Sequence, residues 1–168
     1  PDIITTAKGL TSGYIPLGAV VFSDRIWEGM AKGGARWFTS GYTYSGHPVA
    51  AAVALENLRI LQEEHIIEHV RDVANPYLAE RWAALTDHPL VGEAKLVGLM
   101  GSIALTPDKA KRAKFASETG TVGLRCRERC FANNLIMRHV GDRMIISPPL
   151  TITPDEIDVL IARARKSL

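Results

Sequence analysis

Glycines at positions 9, 13, 18, 41 and 46 punctuate the first 48 residues, and an alanine-rich run starts directly after Pro48. This contrast limits the fold more than any other feature. Glycine-broken stretches leave room for short strands and loops, whereas HPVAAAVALENL is dominated by strong helix formers. Pro48 stands where a first helical turn tolerates proline. Val49, Val53, Glu56, Leu58 and Leu61 lie along the run, and its small alanines suit close packing against a sheet or a second subunit. Short strands ahead of a long helix predict an α/β chain.

Ile3 and Ile4 lead a short apolar run, which predicts a strand ending near Lys8. Leu17–Phe22 (LGAVVF) lacks alternation and predicts a buried strand. Ser23 and Asp24 offer caps for a helix over Arg25–Met30. Between Ala31 and Tyr44, Trp37 and Phe38 read as core or interface anchors. His65–Leu85 predicts a second helical region, kinked or restarted at Pro76 with Asn75 as a cap. The polar turn Thr86-Asp87-His88-Pro89 then divides residues 1–86 from a small α/β domain, 87–168.

In that second part, Leu96–Leu105 reads as one strand with glycine bulges, and Thr121–Phe131 as a helix. Leu135–Val140 and Arg143–Ser147 read as strands joined at Gly141-Asp142. Thr153-Pro154-Asp155-Glu156 has a cap, a first-turn proline and a glutamate at the third helical position. Ile157, Leu160, Ile161 and Ala164 form the apolar stripe of the helix that follows.

The 168 residues suffice for a real core, and 20 basic side chains nearly balance 18 acidic ones. The one basic cluster, Lys109–Lys114 (KAKRAK), has no interleaved aromatics and reads as a solvated face, so neither nucleic acid nor an anionic membrane is implied. Cys126 and Cys130 have no second pair or neighbouring histidine to complete a zinc set; no metal is expected, and the thiols read as reduced or buried. Nothing resembles a signal peptide or an 18-residue apolar span, so a soluble cytoplasmic protein is expected.

Two places carry candidate chemistry. Lys8 is followed at once by Gly9, which leaves room for a large group to approach the amine. Thr43 sits among Gly41, Ser45 and Gly46 ahead of a helix start, a setting suited to an anion. An amine and an anion site are what a phosphorylated aldehyde cofactor needs. Each also has a plain reading: Lys8 as a solvated side chain, Thr43 as a turn or capping residue. Arg138, in LIMRHVGD, reads equally as an exposed strand residue or as the ion-pair partner of Asp142.

AKGLTSGYIPLGAV, GYTYSGHPVAAAVALENL and NNLIMRHVGDRMIISPPLTITPDEID together resemble the class III (omega) aminotransferases, in order and over nearly the whole chain, closest to the amine:pyruvate and putrescine type. The resemblance implies the C-terminal portion of a fold-type I transferase that uses pyridoxal 5'-phosphate (PLP): the end of the large domain and the small domain. It implies Lys8 as the lysine that bonds the cofactor and moves a proton, and Thr43 as a phosphate contact from across a homodimer, with Tyr42 near it. It implies Arg138 on the substrate carboxylate and Trp37 near the substrate channel. The expected reaction moves an amino group from an amine or omega-amino acid to a keto acid such as pyruvate. The cofactor contacts that precede Pro1 in such proteins are expected from a longer polypeptide or a separate chain, and this portion alone is expected to be inactive. A non-catalytic dimerisation or regulatory module and a related PLP aminomutase are the competing expectations. Lys95 and Ala104 depart from the family's common arginine and glutamate.

Overall fold

The computed structural model describes residues 1–32 and 39–168, which divide into two compact units, Pro1–His65 and Ile66–Leu168. The second unit takes in the helical stretch after Ile66, which packs with the sheet that follows it.

In the first unit, β1 (Ile3–Ala7) and β2 (Gly18–Phe22) form an antiparallel ribbon, with Ile3 opposite Phe22 and Ala7 opposite Gly18. Both strands lie where their sequences place them, but the expected burial of the second is not met within this chain: Val20, Val21 and Phe22 are exposed. An apolar run without alternation suits a sheet covered on both faces, and this ribbon has neither face covered by the described residues. Helix α1 (Asp24–Ala31) follows. Ser23 stands at its N-cap position, yet the hydroxyl donates to Asp2 Oδ1 (3.0 Å) instead of taking a helix amide. Arg25 pairs with the same carboxylate, so the helix start is tied back to the start of β1.

Helix α2 (Pro48–Glu63) begins at the predicted proline. Its cap is His47, whose Nδ1 accepts from the Ala50 amide at 3.4 Å; Thr43 lies upstream and does not cap it. Ala50 and Ala54 are buried.

The second unit opens with a short helix α3 (Ile66–His69), a π turn over Val70–Ala74, and α4 (Asn75–Ala83). The backbone stays right-handed helical at His69, Ala74 and Asn75, so the helix runs on through the π turn directly before Pro76 and does not restart there. Asn75 is not the cap that its position suggested; its side chain donates to Gly98 O at 2.6 Å. The single strand expected over 96–105 is instead a hairpin, β3 (Val91–Val97) and β4 (Met100–Leu105). Val97 pairs with Met100, and Gly98 at φ 56 opens the two-residue turn between them. Helix α5 (Thr121–Ala132), strands β5 (Arg138–Val140) and β6 (Arg143–Ile146), and helix α6 (Pro154–Ser167) complete the unit. The sheet is antiparallel in the order β3-β4-β6-β5.

Helices pack on one face of this sheet. Trp82 of α4 is 1% exposed among Leu78, Leu85, Ile103, Met144 and Ile157, and its indole N–H donates to Lys95 O at 3.0 Å. Gly101 makes room for it: a Cβ there would lie 2.8 Å from the indole ring and from Ile146 Cγ1. The capping box of α6 forms as its sequence specifies, with the Glu156 amide donating to Thr153 Oγ1 (3.3 Å) and the Thr153 amide donating to Glu156 Oε2 (2.9 Å). Arg81 of α4 pairs with Asp158 of α6 at 2.7 Å and stacks 3.4 Å over the Tyr77 ring, while the Tyr77 hydroxyl donates to the same carboxylate. The guanidinium first, and then the Tyr77 hydroxyl, hold the Asp158 carboxyl below its ordinary pKa. The two sequence departures fall together: Ala104 lies in register between Glu93 and Arg143, and Glu93 pairs with both Lys95 and Arg143 at 3.0 Å. Cys126 and Cys130 are free thiols in the core.

Asp142 does not pair with Arg138. Its Oδ1 accepts from the amides of Gly120 (3.2 Å) and Gly123 (3.0 Å), which places a carboxylate at the positive end of α5. Gly123 is required for this approach, because a Cβ there would collide with the Gly141 carbonyl. In whole protein, Gly123→Ala is expected to destabilise the fold by about 1–3 kcal/mol through overpacking. Gly29→Ala in α1, where a Cβ meets nothing within 4 Å, should be neutral or gain up to about 1 kcal/mol. Denaturant titration of both variants checks this, and equal effects at the two positions would rule out the close contact as the cause.

Candidate active site

Lys8 is the first residue past β1 and opens a 3-10 turn, Lys8–Thr11. Its backbone is left-handed, at φ 53, and so is that of Ser12, at φ 48. Such a conformation costs a non-glycine residue on the order of 1–3 kcal/mol and persists only where neighbours hold it. The side chain of Lys8 is exposed, on the rim of a concavity of about 570 Å³ lined also by Thr11, Gly13, Ile15 and Leu17. Gly9 has open space around it, with nothing among the described residues within 4 Å of where a Cβ would stand. The room inferred beside the lysine is therefore present.

The turn is held from two sides. Thr11 is 1% exposed, and its hydroxyl donates to Ile15 O at 2.6 Å. Asn57, on α2, donates from Nδ2 to Gly9 O (3.0 Å) and Leu10 O (3.2 Å), and its Oδ1 accepts from Ser12 Oγ (2.6 Å). Sequence reasoning did not select Asn57. An asparagine inside an otherwise alanine- and leucine-rich helix was the available signal, because asparagine is a poor helix former that needs a reason to be there.

Thr43 begins a turn, Thr43–Gly46, that leads into α2. Tyr42 and Ser45 close it: the Ser45 amide donates to Tyr42 O (2.9 Å), and the Tyr42 amide donates to Ser45 Oγ (3.0 Å). Thr43 is exposed, as is Tyr42 at 84%. Among the described residues no hydrogen bond joins this turn to Lys8. Trp37, the substrate-channel candidate, and Phe38 lie outside the described residues. Arg138 belongs to the second unit, where it opens β5 opposite Ile145; its side chain is exposed, and no ion pair or hydrogen bond engages the guanidinium among the described residues. No group of three or more metal-ligating side chains occurs among the described residues, nor is any helix there long and apolar enough to cross a membrane.

The whole chain, residues 1–168, matches the family described as aminotransferase class-III. Over its full length it is 58% identical to the putrescine–pyruvate aminotransferase of Pseudomonas aeruginosa, of which it covers 36%. It is 40% identical over 172 aligned positions to the chloroplastic gamma aminobutyrate transaminase 3 of Solanum lycopersicum, covering 32% of that protein. An (S)-enantioselective omega-transaminase from Thermomicrobium roseum superposes on 99% of this chain with a TM-score of 0.92 at 42% identity, and 37% of that structure is covered. The chain thus spans about a third of the length of the relatives it matches. Its sequence along all 168 residues and the path of its backbone agree in placing it: the chain belongs to the class III aminotransferases, with the α/β fold-type I architecture of that family.

Proposed function

We propose that this chain is the C-terminal portion of a PLP-dependent transaminase that transfers an amino group from an amine or omega-amino acid to a keto acid such as pyruvate. The observation that carries the reading is Lys8: an exposed amine one residue past a strand, in a strained backbone conformation, on the rim of an open concavity. The similarity to a putrescine–pyruvate aminotransferase supports the substrate class. In the whole enzyme the chain would supply the end of the large domain (residues 1–86) and the small domain (87–168), and would work in the cytoplasm.

The residues present fit PLP at two of its groups. Lys8 offers the amine for its aldehyde, with Gly9 leaving the approach open, and the Thr43 hydroxyl offers a donor for its phosphate. When bound, the cofactor supplies an electron sink and carries the amino group between two half-reactions. Lys8 would hold the cofactor through its amine, and the same amine would move a proton at the substrate carbon. A flexible stem and an amine of tunable charge suit both tasks. Arg138 takes the substrate carboxylate in its planar fork. Thr43, with Tyr42 beside it, serves the site of the opposite subunit in a homodimer. Exposed apolar groups on α2, among them Val49 and Leu55, are consistent with a subunit surface there.

Three measurements test these roles in the whole enzyme. Borohydride reduction followed by peptide mapping should leave the pyridoxyl mass on Lys8; label on Lys32 or Lys95 instead would overturn the assignment. Mixing Lys8→Ala subunits with Thr43→Ala subunits should recover activity, because one site of each mixed dimer is then intact. Formation of mixed dimers without recovery would refute the shared site. Arg138→Ala should weaken pyruvate and amino acid use by about 2–5 kcal/mol while sparing a carboxylate-free amine, as read from separate half-reactions. Equal losses for both substrate types would make Arg138 a structural residue.

A further inference from the structure

Asn57 stands on the same face of α2 as the buried Ala50 and Ala54, seven and three residues before it. Packing alone would favour an apolar side chain there. Instead the position holds an amide whose polar atoms are all engaged by one loop. Both Nδ2 hydrogens go to consecutive carbonyls, Gly9 O and Leu10 O, and Oδ1 receives the Ser12 hydroxyl. The orientation of the amide is set by its partners: two carbonyls can only accept, so nitrogen must face them, and the hydroxyl can donate to the remaining oxygen.

The five residues bridged or flanked by this clamp, Lys8 to Ser12, include the two that need holding. The turn begins at Lys8 (φ 53) and ends at Ser12 (φ 48), both left-handed and neither glycine. Such residues relax toward ordinary backbone when nothing fixes the peptides beside them. The carbonyls of Gly9 and Leu10 belong to the Gly9–Leu10 and Leu10–Thr11 peptides, so a helix that grips them fixes the second and third peptide planes after Lys8. With the far side of the turn held in this way, Lys8 has only the Lys8–Gly9 peptide through which to relax.

We propose that Asn57 is a positioning residue for Lys8: from α2 it locks the Lys8–Ser12 turn in the strained form that aims the amine. It touches neither substrate nor cofactor and acts through the backbone of Gly9 and Leu10. The proposal rests on the reading of Lys8 as the cofactor-bonding lysine.

The test uses the whole PLP-loaded enzyme with Asn57→Ala, Asn57→Leu, Asn57→Asp and Ser12→Ala. Asn57→Leu restores apolar packing to the helix face without the hydrogen bonds. Asn57→Asp keeps the acceptor for Ser12 but turns a carboxylate oxygen toward two carbonyls. The expected result is that Ala, Leu and Asp at position 57 all slow the amine half-reaction by about ten- to a hundredfold, with the amine KM little changed. All three should also move the pH midpoint of the cofactor's visible band, which reports how the Lys8 nitrogen is set against the ring. Ser12→Ala, which removes only an exposed hydroxyl, should give a smaller change in the same direction, and its effect should vanish in the Asn57→Ala background. A structural role predicts otherwise: Asn57→Leu would recover melting temperature, rate and pH midpoint together. That outcome, or a wild-type rate and midpoint in Ser12→Ala and Asn57→Ala alike, overturns the proposal. Absence of pyridoxyl label on Lys8 in the reduced wild-type enzyme would instead overturn the reading of Lys8 itself, which separates the two failures.

Discussion

The left-handed backbone at Lys8 is the constraint on which the first unit turns. A strand must end where the lysine begins, and a chain leaving an extended strand at Ala7 passes directly into a 3-10 turn. A residue with a Cβ resists that geometry, so the turn needs support from outside itself. Thr11 supplies one brace by hydrogen-bonding Ile15 O, and α2 supplies the other through Asn57. Helix α2 therefore has two tasks. Its small residues allow a close approach, and its one amide on the same face holds the loop that carries Lys8.

The second unit depends on a different set of close approaches. Gly101 lets the Trp82 ring lie against the sheet, and Gly123 lets α5 reach the Gly141 turn, where Asp142 accepts two of its first amides. Glycine in these positions is chosen for space, since neither residue has a left-handed backbone. Arg81, Tyr77 and Asp158 then join α4 to α6 at the surface. Such exposed groups add little energy. Among the described residues Arg138 has no ion pair, and the carboxylate nearest to it in sequence, Asp142, is engaged by α5.

Elements whose signals are local were legible. The α6 capping box needs only Thr153 and Glu156, three residues apart, and forms as written. Helix α2 follows from alanine content and Pro48. The β5–β6 hairpin follows from apolar runs around Gly141. The hairpin at Gly98 was missed because LVGLMG is apolar on both sides of its turn, so a two-residue reversal and a bulged strand look alike in sequence. The Ser23 and Asn75 side chains were misassigned as helix caps for a related reason: each has a distant acceptor, Asp2 or Gly98 O, that wins over the local amide.

The sequence by itself determined the family, the strands and helices outside the Gly98 hairpin, and Lys8 as the amine past a strand end, since motif, periodicity and capping chemistry act over a few residues. Only the tertiary structure decided that Lys8 is left-handed, that Asn57 grips the carbonyls after it, and that Asp142 serves α5 in place of Arg138. Those outcomes rest on partners separated by 19 to 48 residues along the chain. A backbone carbonyl carries no mark in the sequence of which side chain will reach it; folding brings the two together, and the need to satisfy each polar group then fixes the pairing.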